Sequence, residues 1–120
     1  MARTIVIVDD HAEFRAHAGE LLRAAGYDVV ASCADGASAL AAVAAQRPDV
    51  VLLDVQLPDI DGFGVVERVE ERSDGPIVVL TSTRDAADYG ERIVRSGAAG
   101  FISKAELSAQ SLDDVLVCRR

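Results

Sequence analysis

Short apolar runs recur along this chain, and four of them stop at polar residues of different chemical kinds. Ile5-Val6-Ile7-Val8 ends at Asp9-Asp10, Val50-Val51-Leu52-Leu53 at Asp54, Ile77-Val78-Val79-Leu80 at Thr81, and Gly100-Phe101-Ile102-Ser103 at Lys104. Runs of this length, rich in Val and Ile, read as buried parallel strands. Between them the apolar positions switch to helical spacing. The clearest helix is Ala12 to Ala25, where Phe14, Ala18, Leu21, Leu22 and Ala25 recur and Gly26 acts as the C-terminal cap. Tyr27 to Ser32 predicts a second, less apolar strand. Gly36 and Ser38 then open an alanine-rich helix to about Gln46, which Pro48 ends. After the third strand, Val50 to Asp54, the stretch Gln56 to Gly62 is loop chemistry, followed by a helix from about Phe63 to Arg72 with Phe63, Val66 and Val69 on one face. Ser73-Asp74-Gly75-Pro76 forces a turn into the fourth strand, Ile77 to Thr81. A fourth helix over Ala86 to Ser96, a fifth strand over Ala99 to Ser103 and a last helix over Ser108 to Val117 complete the series.

Five strand and helix units in alternation require a parallel sheet with right-handed crossovers and helices on both faces, a doubly wound α/β fold. The second strand is the least apolar and delivers no reactive group, which suits a sheet edge. That gives a flavodoxin-like (βα)5 architecture with five parallel strands in the order 2-1-3-4-5. Its ligand crevice lies between strands one and three, where Asp9, Asp10 and Asp54 face one another.

Composition narrows the function. At 120 residues and 12.7 kDa, residues 1–120 fit one domain. Twenty acidic against 12 basic residues leave a formal charge of -8, which argues against direct nucleic-acid or anionic-membrane binding. No run approaches a membrane span, and Met1-Ala2-Arg3-Thr4 leads straight into a strand, so a cytoplasmic location is expected. Cys33 and Cys118 lie far apart, outside metal-type spacing, and are expected as buried or half-buried free thiols. Lys104 is the only lysine among the 12 basic residues. A flexible point charge therefore stands where a strand ends.

Clustered carboxylates repel, so Asp9, Asp10 and Asp54 together need a cation, and a hard oxygen-seeking ion such as Mg2+ meets that need. Helix capping by Asp9 or Asp10 is the plainer account of the pair, but it leaves Asp54 and Lys104 unexplained. A carboxylate can attack phosphorus to give an aspartyl phosphate when the charge on the phosphoryl oxygens is neutralised. Mg2+, Lys104, and the Thr81 hydroxyl with nearby backbone N–H groups supply that neutralisation. Asp54, single and on the central strand, is the natural nucleophile.

The set of Asp-Asp, Asp, Thr and Lys at successive strand ends resembles the receiver domain of bacterial two-component response regulators, and the likeness covers essentially the whole chain. The resemblance implies that Asp54 accepts a phosphoryl group from a sensor histidine kinase, a phosphotransfer protein or a small phosphodonor. It further implies Asp9, Asp10, Asp54 and the Gln56 backbone carbonyl around Mg2+, and Thr81, the Ser82 backbone and Lys104 on the phosphoryl oxygens. Thr81 and Phe101 match the switch pair, Gln56 and Thr83 the positions that tune phosphoryl lifetime, and Pro58 and Gly62 the following loop. Phosphorylation-dependent homodimerisation is a further family expectation, and the chain either ends at Arg120 or continues into a C-terminal output domain.

Two departures stand out. Ala105 replaces the proline that usually follows the lysine through a cis bond, and Phe101 lacks the hydroxyl of the commoner tyrosine. The fourth helix carries Gly90 in its middle, with Ile93 and Val94 as its main apolar anchors. A weakly held element suits a population shift, so the face made by the fourth helix, fifth strand and last helix, including Arg92, Arg95 and residues after Ala105, is expected to carry output.

Other readings fit less well. Asp59-Ile60-Asp61-Gly62 has Leu57 and Arg68 where a calcium loop needs ligands, so it is a turn. No Walker-type or G-x-G-x-x-G cradle is present. His11 reads as a partly exposed residue at a helix start, His17 as surface, and Phe14 and Tyr89 as packing or surface aromatics. A phosphatase using Asp54 would need a second acid where Gln56 stands, and an FMN phosphate would be repelled by the acidic crevice. A phosphate-independent interaction domain of similar fold has no use for the complete set of site residues.

Overall fold

Strand pairing decides the architecture. The computed structural model describes residues 3–70 and 75–117. In it β1 (Thr4–Val8), β2 (Asp28–Cys33), β3 (Val50–Asp54), β4 (Ile77–Ser82) and β5 (Gly100–Ser103) form one parallel sheet in the order β2-β1-β3-β4-β5. This is the expected doubly wound, flavodoxin-like fold. The helices are α1 (Ala12–Ala24), α2 (Gly36–Gln46), α3 (Gly62–Glu70), α4 (Ala86–Tyr89), α5 (Glu91–Arg95) and α6 (Ala109–Val117), with a 3-10 turn over Lys104–Glu106.

The central runs are uninterrupted because both faces of the sheet are covered. Successive strand residues leave opposite faces. Val6, Val8, Val51, Leu53, Val78 and Leu80 pack with Val43 of α2 and Val65, Val66 and Val69 of α3. Ile5, Ile7, Val50, Leu52 and Val79 pack with Ala18 and Leu22 of α1 and Leu112 and Leu116 of α6. Each fully buried aliphatic side chain contributes about 1.5–3 kcal/mol. The β2 edge is held less deeply, with Val29, Val30 and Ala31 only half-buried. Cys33 is a buried free thiol, as expected. Cys118, the turn over residues 73 and 74, and the expected helix end at Arg72 lie outside the described residues.

Helix ends follow the local chemistry with small shifts. Gly26 closes α1 with φ 96°, whereas α2 ends on Arg47 with φ 45°, where the following Pro48 disfavours continued helix. The larger departure is the fourth predicted helix. Gly90 takes φ 56° and ψ -130°, open to glycine and poor for any residue with a Cβ, and it splits the segment into α4 and α5. Neither piece has a fully buried residue. Val94, an expected anchor, is 82% exposed. Tyr89 and Ile93 are half-buried and hold the segment instead. No peptide bond among the described residues is cis, and the chain passes from Lys104 through Ala105 into the 3-10 turn. Among the described residues no helix is long and apolar enough to cross a membrane.

Candidate functional site

Register brings the site together. Val8 of β1 lies opposite Leu53 of β3, so Asp9 and Asp54, each one residue further on, emerge side by side. Asp54 is paired with Thr81 of β4, and Ser82 with Ser103 of β5, immediately before Lys104. Asp9 and Asp54 are almost completely buried, at 0% and 2% exposure. The Lys104 ammonium reaches between them, with Nζ 2.5 Å from Asp9 Oδ2 and 3.2 Å from Asp54 Oδ2. The other Asp54 oxygen, Oδ1, accepts the Gln56 backbone N–H at 3.0 Å. Asp9 Oδ1 accepts the His11 backbone N–H at 2.8 Å, so this carboxylate organises the loop before α1, and the His11 side chain at the N-cap makes no cap bond.

One ammonium faces more negative charge than it neutralises. Burial pushes the Asp54 carboxyl above its ordinary pKa; the Gln56 N–H and Lys104 act to lower it, while the Asp9 carboxylate raises it further. Burial also opposes the charge on Lys104, but hydrogen bonding and attraction to Asp9 and Asp54 outweigh it and hold the ammonium above its usual pKa. The pocket thus retains unsatisfied demand for positive charge. Asp10 is exposed at its rim, with Oδ1 3.0 Å from His11 Nδ1. Single oxygen or nitrogen atoms of Asp9, Asp10, His11 and Asp54 lie within 4.8 Å of one another, a set able to hold a cation.

Thr81 supplies the second sign of an incomplete site. Its side-chain oxygen is buried and has no hydrogen-bond partner among the described residues, a costly state for a hydroxyl. An acidic pocket beside an unpartnered hydroxyl and a lysine fits a divalent cation together with an oxyanion. Gln56 and Thr83 are exposed beside this crevice, and Phe101 is half-buried.

The loop after β3 is locked onto the sheet. A Cβ at Gly62 would stand 2.6 Å from the Asp54 carbonyl oxygen and 2.8 Å from the Val55 Cα, so only glycine permits this approach. The Gly62 N–H donates to the Val55 carbonyl, closing the loop. Asp59, expected in a turn, and Tyr89, expected as a packing or surface aromatic, also make specific polar contacts here. Asp59 accepts the Gly36, Ala37 and Ile60 N–H groups, tying this loop to the start of α2, and these bonds hold its carboxyl below the ordinary range. Tyr89 packs between Phe63 and Phe101, with ring centroids 5.7 and 5.8 Å away, and its hydroxyl lies 2.8 Å from the Ser82 Oγ. The polar Ser82, ending an apolar run, was the available signal that a partner was needed there. Arg92 lies over the Phe63 ring, 4.3 Å from its centroid, and 3.4 Å from Asp61, so it bridges toward α3; Arg95 pairs with Glu91.

The profile of the response regulator receiver domain matches residues 5–116. The chain belongs to that family. The receiver is 33% identical over 101 residues to the DNA-binding transcriptional activator EvgA of Escherichia coli strain K12, covering 84% of this chain and 50% of that protein. It is 35% identical over 103 residues to a putative transcriptional regulator of Pseudomonas aeruginosa, covering 85% and 49%. The chain therefore spans about half the length of these curated relatives. Among solved structures, the receiver domain of the putative response regulator NarL from Mycobacterium tuberculosis superposes with a TM-score of 0.87 at 33% identity, over 98% of this chain and 96% of that one.

Proposed function

We propose that this receiver is the phosphorylation switch of a two-component phosphorelay, with Asp54 as phosphoacceptor. The observation that carries the reading is a buried carboxylate clamped by Lys104 beside an unpartnered Thr81 hydroxyl. Asp54 attacks the phosphorus of a phosphohistidine on a sensor kinase or phosphotransfer protein, or of a small phosphodonor. The new O–P bond forms as the donor's N–P or O–P bond breaks, and the donor leaves with that electron pair. Asp9, Asp10, Asp54 and the Gln56 carbonyl would hold Mg2+. When bound, the ion offsets charge on the phosphoryl oxygens and the carboxylates. Lys104 turns from Asp54 to the phosphoryl group, while the Thr81 hydroxyl and the Ser82 N–H take the remaining oxygen contacts. Gln56 and Thr83, exposed at the crevice mouth, govern water access and hence phosphoryl lifetime.

Readout follows from what Thr81 adjoins. Movement of Thr81 toward the phosphoryl group drags Ser82, and Ser82 holds the Tyr89 hydroxyl. Tyr89 in turn contacts Phe101. The α4, α5, β5 and α6 face, weakly anchored at Gly90, then shifts to engage an output domain, a second copy or a separate partner. The receiver turns over no outside substrate, and DNA contact belongs to an output partner.

Intact-mass measurement after incubation with acetyl phosphate and Mg2+ tests the reading. One labile phosphoryl adduct is expected, absent in Asp54→Asn and after chelation. Folded wild-type protein with no adduct from either acetyl phosphate or phosphorylated histidine kinases would leave a phosphate-independent interaction domain.

A further inference from the structure

His11 is the one side chain at the cation pocket for which an all-oxygen site has no use. Its ring is 67% exposed, so it contributes little packing, and it makes no capping bond at the start of α1. Its Nδ1 nevertheless points at both members of the acidic pair, 3.2 Å from Asp9 Oδ1 and 3.0 Å from Asp10 Oδ1. A ring nitrogen of His11 and one carboxylate oxygen each of Asp9, Asp10 and Asp54 fall within one 4.8 Å cluster. An independent sign that the pocket awaits a ligand is the buried, unpartnered Thr81 hydroxyl, in register with Asp54.

Mg2+ takes oxygen ligands and retains its waters, leaving no role for an imidazole. First-row divalent ions accept mixed nitrogen and oxygen sets; imidazole suits Fe2+, Ni2+, Cu2+ and Zn2+ best, and Mn2+, the most oxygen-seeking of the series, takes it more weakly but more readily than Mg2+. We infer that His11 is a direct ligand of the receiver's cation through Nδ1, tuning the site toward first-row divalent ions, Mn2+ among them, relative to Mg2+. The inference rests on the cation site proposed above and adds a nitrogen donor to it. His11 is joined to Asp9 and Asp10 in sequence, so the ligand is carried by the same short loop that places the carboxylates. The switch would then respond to the supply of a second metal as well as to its kinase.

The test uses Mn2+ as probe on the full chain. Pulsed electron paramagnetic resonance of the Mn2+ complex should show coupling to an imidazole 14N. His11→Ala should lose it, whereas His17→Ala, altering the only other histidine, should keep it. Competitive titration should show Mn2+ affinity falling about tenfold in His11→Ala while Mg2+ affinity is unchanged, with circular dichroism confirming the fold. Mn2+ bound without nitrogen coupling would overturn the inference while leaving an oxygen-only cation site intact. Equal loss of both metals, or tighter Mn2+ binding in His11→Ala, would overturn it as well, since His11 would then act as a general counter-charge or a competitor. Failure of either ion to bind the wild type would remove the cation site itself, and with it the metal part of the proposed function.

Discussion

The two sides of this sheet are built to different standards of firmness. Around β1 and β3 every strand position but one is buried, the acidic residues at the strand ends are pinned by backbone N–H groups, and the following loop is fixed by Gly62 and Asp59. Only the first residue of β1, Thr4, is partly exposed. Around β4 and β5 the covering segment is broken at Gly90, has no fully buried residue, and leaves Val94 in solvent. A site that must hold three carboxylates together needs a rigid frame. A surface that is to shift on phosphorylation of Asp54, as proposed, needs a small free-energy gap between its arrangements. Under the proposed function these requirements are separated in space, and the contacts of Thr81, Ser82 and Tyr89 are the proposed joint between them.

The largest contrast should appear in core truncations. Leu53→Ala removes a fully buried side chain from the frame, and a loss of about 2–5 kcal/mol in urea unfolding is expected. Val94→Ala on α5 should change stability by less than about 0.5 kcal/mol, as at an ordinary surface position. Comparable losses at the two positions would mean that α5 is anchored as firmly as β3, and the division of labour would fail.

Lys104→Met comes next. It removes the cation between two buried carboxylates and should cost about 1–3 kcal/mol at neutral pH. That is less than the ~3–5 kcal/mol of a broken, fully buried pair, because Lys104 retains some exposure and Asp54 can take up a proton. The pH dependence has a definite sign. Asp54 titrates above its ordinary value when folded, so the native state binds the proton more readily than the unfolded chain. Stability therefore falls as pH rises from the ordinary carboxylate pKa through the raised one. Without Lys104 that fall should be deeper and should extend to higher pH. The raised Lys104 pKa works in the other range: its contribution is fully present below the ordinary lysine value and disappears as pH rises through the folded one. Urea unfolding across pH should thus show wild type and variant converging at the acid end, as the carboxylates protonate, and at the alkaline end. A constant difference across the whole range would assign Lys104 a packing role, such as its contact with the Phe14 ring, 4.7 Å from Nζ.

What could be read in advance divides along the same line. The strands of the frame are continuous apolar runs closed by charged residues, and period and punctuation suffice to place them, their order and the meeting of Asp9, Asp54 and Lys104. The Ala86–Ser96 stretch has helical spacing too, yet the backbone at Gly90 leaves the helix. Spacing does not report a φ of 56°, because glycine adopts either hand at little cost. Val94 failed as an anchor because the break at Gly90 resets the phase of the following turn. The turn at Asp59 and the packing of Tyr89 are as expected, but their polar bonds are hidden from the sequence for a different reason. Their partners, the Gly36 and Ala37 N–H groups and Ser82 Oγ, are set by the tertiary arrangement, and a turn residue or a lone tyrosine carries no periodic mark of such a bond.

The smallest expected effect on stability tests the joint between the halves. Tyr89→Phe keeps the ring between Phe63 and Phe101 and deletes only the hydroxyl on Ser82. Ser82 Oγ still accepts the Arg84 N–H at 3.1 Å, so it is not orphaned, and the loss should stay within about 0.5–1.5 kcal/mol. Its effect on switching should be larger than its effect on stability. If Ser82 transmits the movement of Thr81 through that hydroxyl, amide exchange in α4 and α5 should respond to Mg2+ with beryllofluoride, a phosphoryl mimic, in the wild type and much less in Tyr89→Phe. Because Phe101 has no hydroxyl to offer, no other aromatic in this cluster of three can replace the bond. An undiminished response in the variant would place the coupling in the packing of Phe101 alone. No response in the wild type would mean that the loosely held face is merely loose, with no connection to Asp54, the proposed phosphoacceptor.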